Sequence, residues 1–191
     1  MANGCTRFDK TVLRLCVRIE FFMKLPQPFS IVAAQRAHVP AIFAMVRELA
    51  QYEKLEHLVS GTADDLATEL FGARPLIEAV VALANATPVG FVLYFHNYST
   101  FLARRGLYLE DVYVQPAHRQ RGIGRALLIY LARLAVERDC GRFEWSVLNW
   151  NQPAIRFYEG LGATVMPDWR IARVTGDALR SLAARSTIGF A

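Results

Sequence analysis

The stretch from Gly106 to Arg138 constrains the fold more than any other part of the chain. Leu107-Tyr-Leu-Glu-Asp-Val-Tyr-Val114 is apolar enough for a buried strand, interrupted only by Glu110 and Asp111. Gln115 to Gly124 follows with a proline, two glycines, Arg119 and Arg121, which is the composition of a turn. Ile123, Leu127, Leu131 and Leu134 then share one helical face, so Gly122 to Arg138 is predicted as an amphipathic helix. A buried strand that turns at once into such a helix needs a sheet beside it and a second layer to cover it.

The other segments fit that arrangement. Phe29 to Ala33 predicts a short strand, and Val39, Ile42, Phe43, Val46 and Leu49 give a helix running to about Tyr52. Thr62 and Asp65 have the spacing of a capping box, with Leu66 and Leu70 as the buried stripe of the helix that follows. Ile77 to Ala84 and Val89 to His96 read as a hairpin turning at Asn85-Ala-Thr-Pro88. Phe143 to Leu148 reads as a strand and Pro153 to Gly160 as a short helix. Ala163 to Met166 and Arg170 to Val174 read as late strands. The expected class is α/β (α+β), a mixed central sheet flanked by helices in a single domain, with no internal repeat.

Composition narrows the function classes. The 191 residues are 53 % hydrophobic and 20 % charged, enough for one core and too apolar for wholesale disorder. No apolar run approaches the ~18–20 residues that span a bilayer, so no membrane partner is expected. Cys5, Cys16 and Cys140 are odd in number and lack metal-ligand spacing, which points to a reducing, cytoplasmic setting. The net charge of +5 makes an anionic partner reasonable, but the arginines are dispersed rather than striped among stacking aromatics. Nucleic acid therefore ranks last. Residues 1–22 mix Arg7, Lys10, Arg14 and Arg18 with broken apolar patches and read as an extension outside the domain. The four histidines do not fall at ligand spacing; loop or surface positions are expected for them, and no metal.

Two places combine residues suited to chemistry. Gly122 and Gly124 allow close backbone approach, and free N–H groups at a helix start favour a phosphate or pyrophosphate. Arg119, Arg121 and Arg125 add positive charge there. The alternative is an ordinary basic helix start. In the strand, adjacent Glu110 and Asp111 point to opposite faces, with Tyr108, Val112 and Val114 sharing the parity of Glu110. One carboxylate must face an otherwise apolar surface, where desolvation raises its pKa and suits it to act as a general base. The alternative is a strand end where both are solvated. Tyr158 follows Phe157, which can serve the core; an aromatic at this spacing is more often core than catalyst. Asn151 reads as a helix N-cap.

Arg119-Gln-Arg-Gly-Ile-Gly124 resembles the Q/R-x-x-G-x-G/A signature of the GNAT acetyltransferase superfamily. Asn149-Trp-Asn-Gln-Pro-Ala-Ile-Arg-Phe-Tyr-Glu-Gly-Leu-Gly-Ala163 resembles its second, strand–loop–helix motif. Glu48-Leu-Ala-Gln-Tyr-Glu53, Tyr108-Leu-Glu-Asp111, Trp150-Asn-Gln-Pro153 and Trp169-Arg170 look like the diamine acetyltransferase branch, which includes the spermidine/spermine and thialysine enzymes. The resemblance runs from about Phe29 to Leu182, within a domain read as residues 29–183, and leaves 1–22 aside. It implies the GNAT fold, a homodimer, and acetyl-CoA as co-substrate, held by Val112, Tyr113, Val114, the turn Arg119, Gln120, Arg121, Gly122, Ile123, Gly124 and Arg125, and by Asn151, Gln152, Pro153 and Ala154. It implies Glu110 as a base acting through water and Tyr158 as the acid that protonates the leaving thiolate. Direct transfer needs no covalent intermediate, so Cys140 reads as a small core residue. Tyr52, Glu53, Glu110 and Asp111 are expected to hold a small cationic amine. Spermidine enzymes usually carry an aspartate and a tryptophan in the preceding hairpin; Asn97 to Arg105 has neither, which favours a thialysine-like amino acid or short diamine. The rival expectation is a non-catalytic acyl-CoA-binding module on the same fold.

Overall fold

A computed structural model describes residues 29–185, in two compact units that divide between Ser146 and Val147. The extension over residues 1–22, with Cys5 and Cys16, lies outside the described residues.

The first unit is a five-stranded sheet: β1 (Phe29–Ala33), β2 (Glu78–Ala84), β3 (Thr87–Ser99), β4 (Arg104–Val114) and β5 (Phe143–Trp145), in that spatial order. The first four run antiparallel, and β5 pairs parallel with β4. Its helices are α1 (Val39–Glu53), α2 (Ala63–Phe71) and α3 (Ile123–Glu137). At the start of α2 the capping box forms: Asp65 N–H donates to Thr62 Oγ1 at 3.2 Å and Thr62 N–H to Asp65 Oδ2 at 2.8 Å. The β2–β3 hairpin turns on Asn85 (φ 47°) and Ala86 (φ 64°) alone, a two-residue turn with both residues left-handed, so β3 starts at Thr87.

Each face of the sheet is covered. Val39, Ile42 and Met45 of α1 and Ala67 and Leu70 of α2 bury Val81, Phe91, Leu93 and Tyr113 on one side. The alternate positions Val80, Val92, Leu107 and Leu109 point to the other side, where α3 packs and buries Leu127, Leu128 and Leu131. Met45, at the same helical spacing as the expected stripe, completes it.

The second unit holds α4 (Gln152–Glu159) and α5 (Gly176–Ala184), the latter not anticipated from the sequence. The late strands expected at 163–166 and 170–174 are not formed, and β5 ends at Trp145 rather than Leu148. Val165, Met166, Trp169, Ile171 and Val174 are all exposed. Their apolar spacing is strand-like, but a strand exists only through a hydrogen-bonded neighbour, and no described strand pairs with this segment.

Candidate active site

The β3–β4 pairing contains the feature that shapes the site. Leu93 pairs with Asp111 and Tyr94 with Leu109, so Glu110 is an extra residue, a β-bulge. The bulge resets the alternation. Asp111 and Tyr113 lie with Leu93 and Phe91 on the α1 face, while Leu109 and Val112 lie with Tyr94 and Val92 on the α3 face. Tyr108 pairs with Phe95, so it falls on the face opposite Val112 and Val114. The uniform parity expected for Tyr108, Glu110, Val112 and Val114 is therefore broken.

The half-buried carboxylate is Asp111, and Glu110 is exposed. Burial, then the negative charges of Glu110 and Glu53, push Asp111 up to about 6. Burial also raises Glu53, the last residue of α1. Tyr52, 41 % exposed, precedes it. The three carboxylates thus form one cluster where α1 ends against the bulge, and the desolvation argued from the sequence falls on Asp111 rather than Glu110.

The edge of β4 beyond the bulge is open among the described residues of this unit. Pairing with β5 spans only Leu107 to Leu109, so Glu110 to Val114 have no strand neighbour on that side. This edge leads to a 3-10 turn at Pro116–His118 and then to Gln120 (φ 61°) and Gly122 (φ 79°), both left-handed. Gly122 is the N-cap of α3, and its conformation explains why glycine stands there. Gln120, Arg121 and Arg125 are exposed, Gly124 is half-buried and Ile123 anchors the helix in the core. Arg119 is not free to swing: its Nε donates to the Val114 carbonyl at 2.8 Å, and its guanidinium lies over the rings of Tyr113 (5.3 Å) and Tyr52 (5.4 Å).

Residues 43–163 match the acetyltransferase (GNAT) family, a span that contains both the bulged strand and the turn. The chain belongs to that family. It is an acetyltransferase with the GNAT fold. It is 38 % identical over 155 residues to the thialysine N-epsilon-acetyltransferase of Mus musculus, covering 75 % of this chain and 91 % of that one. It is 33 % identical over 189 residues to the L-ornithine N5-acetyltransferase of Arabidopsis thaliana, covering 75 % and 83 %. A Vibrio cholerae integron cassette protein superposes with a TM-score of 0.70 at 24 % identity, over 84 % of this chain and 99 % of that one. That likeness speaks for the fold alone.

The second unit carries the remaining expected residues of this acetyltransferase. Asn151 Oδ1 accepts from Ala154 N–H at 3.3 Å, so it caps α4, and Gln152 Nε2 donates to the Asn149 carbonyl at 2.9 Å. Pro153 stands in the first turn. Tyr158 is 8 % exposed and Phe157 38 %, the reverse of the expectation that Phe157 serves the core. Ala154, Ile155 and Tyr158 form the less exposed stripe of α4, and Phe157 lies off it. His96 also departs from expectation: it lies within β3, its Nδ1 3.0 Å from the Gly106 carbonyl and its Nε2 3.0 Å from Arg138. Cys140 Sγ is 3.8 Å from His96, and burial raises the thiol, the wrong direction for a nucleophile. Glu48 and Gln115 are given no role by sequence reasoning; the signals are that Glu48 opens the Glu48–Glu53 segment of the branch resemblance and sits one helical turn before Tyr52.

Proposed function

We propose that this acetyltransferase moves an acetyl group from acetyl-CoA to the primary amine of a small cationic acceptor, by direct transfer. The observation that carries the proposal is the open edge of β4, which runs from a carboxylate cluster into a left-handed turn at a helix start. An extended amide-bearing chain can hydrogen-bond to such an edge, here along Val112 to Val114. The N–H groups at the start of α3, with Arg121 and Arg125, suit a pyrophosphate. Gln120, Gly122, Ile123 and Gly124 form the turn itself; Asn151, Gln152, Pro153 and Ala154 are assigned to CoA by the family motif.

The acceptor arrives as an ammonium, since an alkyl amine titrates near ~10.4. Glu53 and Asp111 hold the cation beside Tyr52, and Glu110, exposed at the bulge, accepts the proton directly or through water. The nitrogen lone pair then forms the amide bond as the carbon–sulfur bond breaks, and Tyr158 gives its proton to the leaving sulfur. The domain is read as residues 29–183, working as a homodimer as its branch resemblance implies, and in the cytoplasm as its few scattered cysteines suggest.

Relatives named for thialysine and L-ornithine act on short amino acids that end in an amine, which supports an acceptor of that size. Acetyl-CoA consumption measured across ornithine-like amino acids, short diamines, spermine and aminoglycosides tests this. The expected order has the short amines at least about tenfold above spermine in kcat/KM. A preference for spermine would overturn the size assignment.

A further inference from the structure

Side chains of α1 and of the chain leading into the turn meet around the carboxylate of Glu48. Glu48 accepts from Tyr113 Oη through Oε2 at 3.0 Å and from Gln115 Nε2 through Oε1 at 3.1 Å. The two donors stand two residues apart, on one side of the chain as it leaves β4. Gln115 N–H is itself tied to the Val89 carbonyl at 2.9 Å, so this is the last fixed point before the turn. Arg119 then stacks over Tyr113 and over Tyr52, one helical turn along α1 from Glu48, while its Nε holds the Val114 carbonyl.

We infer that Glu48 is a positioning residue for the acetyl-CoA turn: by fixing Tyr113 and Gln115 together, it sets the direction in which the chain enters Gln120 to Arg125. The inference rests on the proposed donor. Each carboxylate oxygen accepts from one of the two donors, so the two bonds together tie Tyr113 and Gln115 to one carboxylate. Loss of the carboxylate frees Gln115 and the phenol ring, and Arg119 loses the fixed aromatic face beneath it. The turn then samples several entries, and CoA must select the competent one, which weakens binding by the fraction lost. Chemistry on the bound ternary complex changes little, because both oxygens of Glu48 are engaged by Tyr113 and Gln115 and its part lies in positioning them.

The test is the dissociation constant of CoA by calorimetry, with KM for acetyl-CoA and kcat on one amine, for the purified full chain and its variants. Glu48→Leu raises Kd and KM on the order of tenfold, the scale of lost hydrogen bonds to a charged acceptor, with kcat within about threefold. Glu48→Gln restores Kd to within about threefold of the original, since the phenol can donate to its carbonyl and the Gln115 amide can turn its oxygen to the new NH2. If Glu48→Leu does not fold, the Tyr113→Phe, Gln115→Leu pair removes the same two bonds from the other side, and the same rise in Kd is expected. An unchanged Kd in a folded variant, a loss confined to kcat, or failure of Glu48→Gln to restore binding overturns the inference alone. A wild-type chain that does not bind CoA overturns the donor assignment and this inference with it.

Discussion

Replacing Tyr158 by phenylalanine lowers kcat by roughly 10²–10⁴, the size of an acid–base contribution, and leaves the affinity for CoA close to wild type. The substitution removes one oxygen and keeps the ring, which matters because Tyr158 is only 8 % exposed and its ring lies 5.5 Å from the Phe157 ring. A truncation to alanine would confound the loss of the proton donor with a cavity. A donor that protonates the departing CoA sulfur lets it leave as the neutral thiol rather than as a thiolate, so the missing hydroxyl is felt in the step that breaks the carbon–sulfur bond. Steady-state kinetics on the best acceptor, with calorimetric titration of CoA, separate the two effects. A variant with wild-type kcat would make Tyr158 a packing residue of α4.

The second large effect divides the two adjacent carboxylates. Glu110→Gln lowers kcat/KM most near pH 7 and recovers part of the loss near pH 9 to 10, where more of the acceptor is already free amine. Asp111→Asn acts differently. With Asp111 pushed up to about 6, the wild-type profile gains a rising limb near that pH as the carboxylate ionises to hold the ammonium, and the variant loses the limb and shows its deficit in KM. Stability moves the other way. A carboxyl whose folded value lies above its ordinary 3.8 is disfavoured as an anion in the folded chain, so its cost to stability is absent below about pH 4, grows from there and is complete above about 6. Asp111→Asn therefore raises Tm near pH 8 and leaves it unchanged near pH 4. Should Glu110→Gln keep the full wild-type profile while Asp111→Asn loses turnover, the base is Asp111.

The difference between these two carboxylates is also where sequence and structure part. Their adjacency is plain in the sequence, and so is the cost of burying one of them. Which one is buried depends on the bulge at Glu110, and a bulge is a property of the β3–β4 register, decided by how Leu93 and Tyr94 meet the other strand. One residue's parity cannot supply it. Local signals transferred well: the Thr62–Asp65 box, the Asn85 turn, the helix opening at Gly122 and the Asn151 cap each depend on residues within four positions of one another. Contacts across the fold did not. Glu48 meets Gln115 from 67 residues away, and nothing in its own neighbourhood announces the pair. The expected strands at 163–166 and 170–174 failed for the same reason, because their apolar spacing says nothing about a pairing partner. Tyr158 and Phe157 were exchanged because a helix of eight residues offers too few turns for its buried face to be read from spacing alone.

The account stands or falls on direct transfer between two bound substrates. The most direct measurement follows free thiol release and the mass of the intact protein, first with acetyl-CoA alone and then after addition of an ornithine-like amine, with the product identified by mass spectrometry. Direct transfer gives no acetylated protein and negligible thiol release before the amine is added, then one N-acetylated amine for each thiol released. An acetylated protein that passes its acetyl group to the amine would contradict direct transfer. CoA binding without thiol release on any cationic amine would make the chain a non-catalytic acyl-CoA-binding module.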